Sequence, residues 1–198
     1  MNIVFDLGGV VLHWNPEKLI ATIFEDARDQ RLAKSEILHH PDWVALDRGT
    51  ISEDEAVKRG AGRTGLPQSK IARFMQKVPP SLVPVDDSLQ LIHSLRQNGN
   101  KLYILSNMHF ASIEYLEKNY TFWDLFDGKV ISCRIKMVKP EKNIYDHLLT
   151  TFKLKVSETV FIDDTAINLE TASQMGITPI LFKDPVQCQT ELKKLGCL

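Results

Sequence analysis

Cysteine is scarce: Cys133, Cys188 and Cys197 are the only three in 198 residues. An odd, scattered set argues against a disulfide framework and offers no zinc-ligand spacing. The three read as small buried hydrophobes. An excess of either charge is also lacking, since 24 Lys+Arg face 25 Asp+Glu for a formal net charge of −1. No net positive field draws the chain to nucleic acid or to an anionic membrane. No apolar run approaches the roughly 18–20 residues that span a bilayer. Met1 leads straight into Ile3-Val4-Phe5, with neither a basic segment nor a small-residue cleavage site, so no signal peptide is expected. Repeats and low-complexity tracts are missing. What remains is globular composition, 43% hydrophobic and 25% charged. At this length about 70% of the unfolded surface can be buried. The expectation is a cytoplasmic protein of one domain with a modest insertion, monomeric or weakly dimeric.

Short apolar runs recur, each ending in polar residues. Ile3-Val4-Phe5 stops at Asp6 and turns into Gly8-Gly9, Lys101–Leu105 ends at Ser106-Asn107, and Thr159–Ile162 ends at Asp163-Asp164. Unbroken runs of this kind suit strands buried on both faces of a parallel sheet. Lys129–Ile131 and Pro179–Phe182 are further strand candidates. Helical spacing lies between them: Leu89, Ile92 and Leu95 follow the cap candidates Asp86 and Asp87 and precede Gly99. Pro140 suits a first helical position ahead of Ile144, Leu148 and Leu149. Leu169 and Ala172 continue a helix that Gly176 closes. This alternation predicts an α/β fold with a doubly wound, Rossmann-like parallel sheet. From Trp14 to Pro80 the alternation breaks. Leu19, Ile20, Ile23 and Phe24, then the capping box Ser52–Glu55, then Ile71, Phe74, Met75 and Val78 are all helical patterns. An all-helical insertion over residues 14–81 therefore divides a core made of 1–13 and 82–198.

Ligands of open α/β sheets bind outside the carboxyl ends of the strands. The polar residues there are Asp6, Ser106, Asn107, Asp163 and Asp164, joined by Lys139 ahead of Pro140. Together they offer a carboxylate nucleophile, a hydroxyl, a cation and two further carboxylates. Such a set suits an anion with a hard divalent ion, and carboxylate oxygens suit Mg²⁺ bridging to phosphate.

In these residues the chain resembles the haloacid dehalogenase superfamily, over nearly its whole length. Phe5-Asp6-Leu7-Gly8-Gly9-Val10-Val11, Ile104-Leu105-Ser106-Asn107, Val138-Lys139-Pro140 and Phe161–Asn168 correspond in order to that family's four motifs. The insertion after the first motif is similar to the helical cap of its sugar-phosphate phosphatases and of the phosphatase domain of soluble epoxide hydrolase. Leu46–Ser52 resembles a stretch found in those caps. The resemblance implies a Mg²⁺-dependent phosphatase acting on a small phosphorylated metabolite, above all a sugar phosphate. Asp6 would attack phosphorus and form an aspartyl-phosphate. Asp6, the Gly8 carbonyl and Asp164 would hold the metal, with Asp163 acting through water or by positioning. Ser106, Asn107 and Lys139 would bind the phosphoryl group.

Gly8 departs from the family pattern, because it stands where the phosphatases carry a general acid. Either the leaving group is undemanding, such as an anomeric oxygen, or His13 or His109 substitutes. Loss of that acid also leaves open a binding or regulatory protein on the same fold. A metal-independent haloacid dehalogenase is the other alternative, although Asp163-Asp164 speaks for a metal. Plainer readings stand beside these. Asp6, Asp163 and Asp164 are also ordinary turn and cap residues, and Lys136 competes with Lys139. Trp14 and Trp43 are candidates for the cap core or the pocket, Arg48 for a surface ion pair or the substrate. His39-His40 lacks acidic company for a metal.

Overall fold

The computed structural model describes residues Met1–Leu198. Five parallel strands, β1 (Asn2–Phe5), β2 (Lys101–Ser106), β3 (Gly128–Ile131), β4 (Thr159–Asp163) and β5 (Thr178–Leu181), pair in the order β3-β2-β1-β4-β5. The chain thus builds outward from β1 to one edge, then returns to build the other half. The reversal falls at β1, flanked by β2 and β4, where an open α/β sheet forms its ligand crevice. Register places Phe5 beside both Ile104 and Ile162, so three polar strand ends share one level of the sheet.

Both faces of the sheet are covered. Ile3, Phe5, Leu102, Ile104, Val160 and Ile162 join one apolar cluster, while Val4, Tyr103, Leu105 and Phe161 join another on the opposite side. This is the period-two alternation of strands, with both sets apolar because helices lie on each face.

Between β1 and β2 every element is helical: α1 (Pro16–Ile23), α2 (Ala27–Ala33) continued by a wider turn at Lys34–Leu38, α3 (Pro41–Asp47), α4 (Glu53–Thr64), α5 (Gln68–Ser81) and α6 (Asp86–Gln97). Ile20, Phe24, Ile71, Phe74 and Met75 meet in a third cluster drawn wholly from this stretch up to Val78. Caps set the helix starts. Asn15 and Asp26 accept from Lys18 and Arg28 backbone N–H groups, and Ser52 accepts from that of Glu55. The Glu55 carboxylate pairs with Arg59 instead of returning to Ser52, so half of the capping box forms.

The remaining helices are α7 (Phe110–Asn119), α8 (Ser132–Ile135), α9 (Lys142–Phe152), α10 (Ala166–Gln174) and α11 (Pro185–Lys194). Two expected starts are corrected. Val85 is the cap of α6, with Asp86 and Asp87 in its first turn, where they favour the helix dipole. Pro140 lies before α9, not within it, because Val138–Glu141 forms a turn closed by a 2.9 Å bond from Glu141 N–H to the Val138 carbonyl. No helix is long and apolar enough to cross a membrane.

Candidate active site

Asp6 leaves the end of β1 with its backbone N–H still bonded to the Ile162 carbonyl of β4 at 2.9 Å. The chain then turns tightly, the N–H groups of Val10, Val11 and Leu12 all donating to the Leu7 carbonyl. Gly9 makes this turn at φ +77°, and a Cβ there would stand 2.2 Å from Asp164 Oδ2. Only glycine lets the β1 turn approach the Asp164 carboxylate so closely. Gly8 beside it has room, its nearest neighbours being Trp14 Cβ and Cγ at 3.9 Å.

Lys139 is the hub. Its Nζ lies 2.9 Å from Asp6 Oδ2 and 2.6 Å from Asp163 Oδ2, and the side chain is almost wholly buried. Asn107 explains how a loop lysine is held there. Its side-chain amide donates to the Lys139 carbonyl at 2.9 Å, and its side-chain oxygen accepts from the Lys139 N–H at 2.8 Å. This two-point clamp fixes Lys139-Pro140 outside α9. Lys136 plays no part, since it donates to the Gly49 carbonyl and lies over the Phe110 ring.

Asp163 is fully buried and satisfied by the protein itself. It accepts from Lys139, from the Asn168 amide at 3.1 Å on each oxygen, and from the Thr165 N–H at 2.8 Å. Asp164 faces outward, with Thr165 Oγ1 at 3.2 Å as its hydrogen-bond donor. Asp6, Asp163 and Asp164 each bring a carboxylate oxygen to within 4.8 Å of the others.

Charge balance decides what the cluster wants. Three carboxylates surround one ammonium. Burial pushes the Asp6 carboxyl up to about 7; Lys139 opposes the rise and the Asp163 charge adds to it. Partial loss of solvent, then the Asp163 charge, raises Asp164. Burial disfavours the Lys139 ammonium, but Asp6 and Asp163 overcome this and hold its pKa above the usual lysine value. The cluster is short of positive charge, and hard oxygen donors with that deficit fit a divalent cation such as Mg²⁺.

A cavity of about 370 Å³ opens over these groups. Asp6, Gly8, Asn107, Lys139 and Asp164 line it on the sheet side, and Trp14, Trp43 and Asp47 line it from the helical stretch. Ser106 is buried at the end of β2 and does not line the cavity; its hydroxyl helps keep Asp6 ionised. His13 is exposed and also absent from the wall. Arg48 points elsewhere, forming a two-pronged pair with Glu141 at 2.7 and 2.5 Å. His40 caps α3, accepting from the Asp42 N–H. The cysteines are all buried and free. Asp47, Thr165 and Asn168, from stretches given no individual role in the sequence, and Ser112, which nothing in the sequence marked, complete the site.

Residues 1–176 match the haloacid dehalogenase-like hydrolases, and the chain belongs to that family. Among its relatives is the sesquiterpene phosphatase astK of Aspergillus oryzae, 29% identical over 98% of this chain and 96% of that protein. The D-ribitol-5-phosphate phosphatase of Bacteroides thetaiotaomicron is 28% identical, covering 88% of each chain. A solved magnesium complex of a haloacid dehalogenase family enzyme from the same bacterium superposes with a TM-score of 0.72, at 25% identity over 92% of each chain.

Proposed function

We propose that the protein is a Mg²⁺-dependent phosphoric monoester hydrolase acting on a small phosphorylated metabolite, with a sugar or polyol phosphate as its substrate class. The convergence of Asp6, Asp163 and Asp164 around Lys139 at the sheet's reversal point carries this reading. Two phosphatase relatives and a magnesium-bound structural neighbour support it. Residues 14–81 act as a cap over the core formed by 1–13 and 82–198.

Asp6 is the nucleophile. Its Oδ1, which accepts from the Leu7 N–H at 2.7 Å, attacks phosphorus, the leaving alcohol departs, and water later hydrolyses the aspartyl-phosphate. Lys139 bonds the other oxygen, which orients the attack and offsets charge on the incoming phosphate. Asp163 keeps Lys139 charged and in place. Asn107 holds the Lys139 backbone, and Ser106 supports Asp6 from behind the wall. Asp6, the Gly8 carbonyl and Asp164 would hold Mg²⁺, which supplies charge neutralisation between the carboxylates and the phosphoryl group. Trp14 and Trp43 give the substrate an apolar wall.

Val78, Leu82, Met108 and Ile167 on the same wall favour one second reading, the phosphate ester of an apolar alcohol. A phosphate-release screen over sugar, polyol, prenyl and p-nitrophenyl phosphates, with Mg²⁺ or EDTA, separates the two. Asp6→Asn should abolish turnover while leaving the melting temperature within a few degrees. Full activity in EDTA, or chloride release from haloacids without metal, overturns the metal-dependent phosphatase.

A further inference from the structure

A phosphatase that releases a poorly leaving alkoxide must protonate the leaving oxygen, and Gly8 brings no carboxylate to that task. The titratable groups on the cavity wall are Asp6, Asp47, His109, Lys139 and Asp164. Three are committed: Asp6 as nucleophile, Lys139 between two carboxylates, and Asp164 to the metal. Two remain, and they face each other. His109 lies at the start of α7, only 3% exposed, with Nδ1 3.4 Å from Asp47 Oδ1 and Nε2 3.0 Å from Ser112 Oγ. The Trp43 ring stands edge-on to the imidazole, 6.0 Å between centroids at 81°. Ser112 Oγ has Nε2 as its hydrogen-bond partner and itself lines the cavity. Asp47 is the charged group facing the ring from α3; Asp6, Lys139 and Asp164 are the others across the cavity.

Building on the phosphatase reading, we propose that His109 is the general acid that replaces the missing carboxylate, with Ser112 relaying its proton and Asp47 orienting the ring from α3. As the Asp6 oxygen–phosphorus bond forms, the bond from phosphorus to the leaving oxygen breaks and its electron pair stays on that oxygen. Ser112 gives its hydroxyl proton to the oxygen and takes the Nε2 proton in return. Neutral His109 then recovers a proton, through Ser112, from the water that attacks the aspartyl-phosphate, releasing inorganic phosphate and the Asp6 carboxylate. Because Asp47 belongs to the helical stretch, the acid is complete only while that stretch is docked.

The decisive measurement is single-turnover cleavage of phosphate esters spanning good aryl to poor primary alkyl leaving groups. In wild type the rate should depend weakly on the leaving group. His109→Gln and Ser112→Ala should slow alkyl esters by about 10²–10⁴-fold yet leave p-nitrophenyl phosphate within a few-fold, because a good leaving group needs no acid. That retained aryl activity also shows that the variants fold. Asp47→Asn should slow alkyl esters more than p-nitrophenyl phosphate, since it weakens the contact that orients the ring toward Ser112. Equal loss across all esters in His109→Gln, or no loss, overturns the assignment while the phosphatase reading stands. Wild type without any Mg²⁺-dependent phosphate release overturns both.

Discussion

Gly8 and Gly9 sit side by side in the turn after β1 under opposite constraints. At Gly9 a methyl group meets Asp164 Oδ2 at 2.2 Å with the backbone at φ +77°. The left-handed conformation alone costs a non-glycine residue roughly 1–2 kcal/mol, and the clash falls on the carboxylate proposed to hold the metal. Gly9→Ala should therefore cut Mg²⁺-dependent turnover at least tenfold and raise the Mg²⁺ concentration needed for half-maximal rate. Gly8→Ala has only ordinary contacts with Trp14 and should change both by less than about threefold, in keeping with the small effect of substitutions that meet no clash. Gly8→Asp tests the other side of the argument. It restores a carboxylate on the wall and should rescue alkyl-ester cleavage in the His109→Gln background. Equal damage from the two alanine substitutions would refute the division of labour between the glycines.

At the scale of elements, α7 is tied to β3 and α8 by one carboxylate. Glu117 accepts from Arg134 at 2.9 and 2.5 Å and pairs with Lys129 at 2.7 Å. Bonding to Arg134, then to Lys129, holds its carboxyl down at about 2 despite partial burial. A depressed carboxyl contributes stability above its unfolded pKa, and that contribution fades as pH falls through the folded value. Glu117→Gln should therefore cost about 1–3 kcal/mol at pH 7. Urea titrations should show the gap to wild type narrowing between pH 4.5 and about 2. A constant gap over that window would mean that Glu117 acts by packing. The central strands β1, β2 and β4 were readable in advance because they are largely buried on both faces and so appear as unbroken apolar runs. The strand ends were readable because polar residues can stop such a run. Pro140 was misplaced for a different reason: the rule for a first helical position is local, whereas Asn107 clamps Lys139 from another strand end. The pairings Asp47–His109 and Arg48–Glu141 were invisible for the same reason, since pattern along a chain says nothing about which loops meet.

For the whole molecule, three consecutive residues at the end of α3 join the helical stretch to the sheet unit. The Asp47 carbonyl accepts from Ser132 Oγ at 2.5 Å, Arg48 grips Glu141, and the Gly49 carbonyl accepts from Lys136. Gly49 is also at φ +70°, where a Cβ would lie 2.7 Å from the Cys133 carbonyl, so the two units touch backbone to backbone. These contacts are polar and partly open to water, with Arg48 26% and Glu141 42% exposed. The Arg48–Glu141 pair should therefore be worth about 0.2–1 kcal/mol and weaken with salt. On the proposed cap reading, the pair is therefore a small part of what holds the helical stretch over the cavity, beside the packing of α5 on α7. Arg48→Glu should raise KM for every phosphate ester by no more than about fivefold, the factor that such a free energy allows. Aryl and alkyl esters should be affected alike, because docking precedes the chemistry. Adding Glu141→Arg restores an ion pair of reversed polarity at the same joint, and KM should return toward wild type at low salt. A double variant no better than the single one would show that the pair does not contribute to docking.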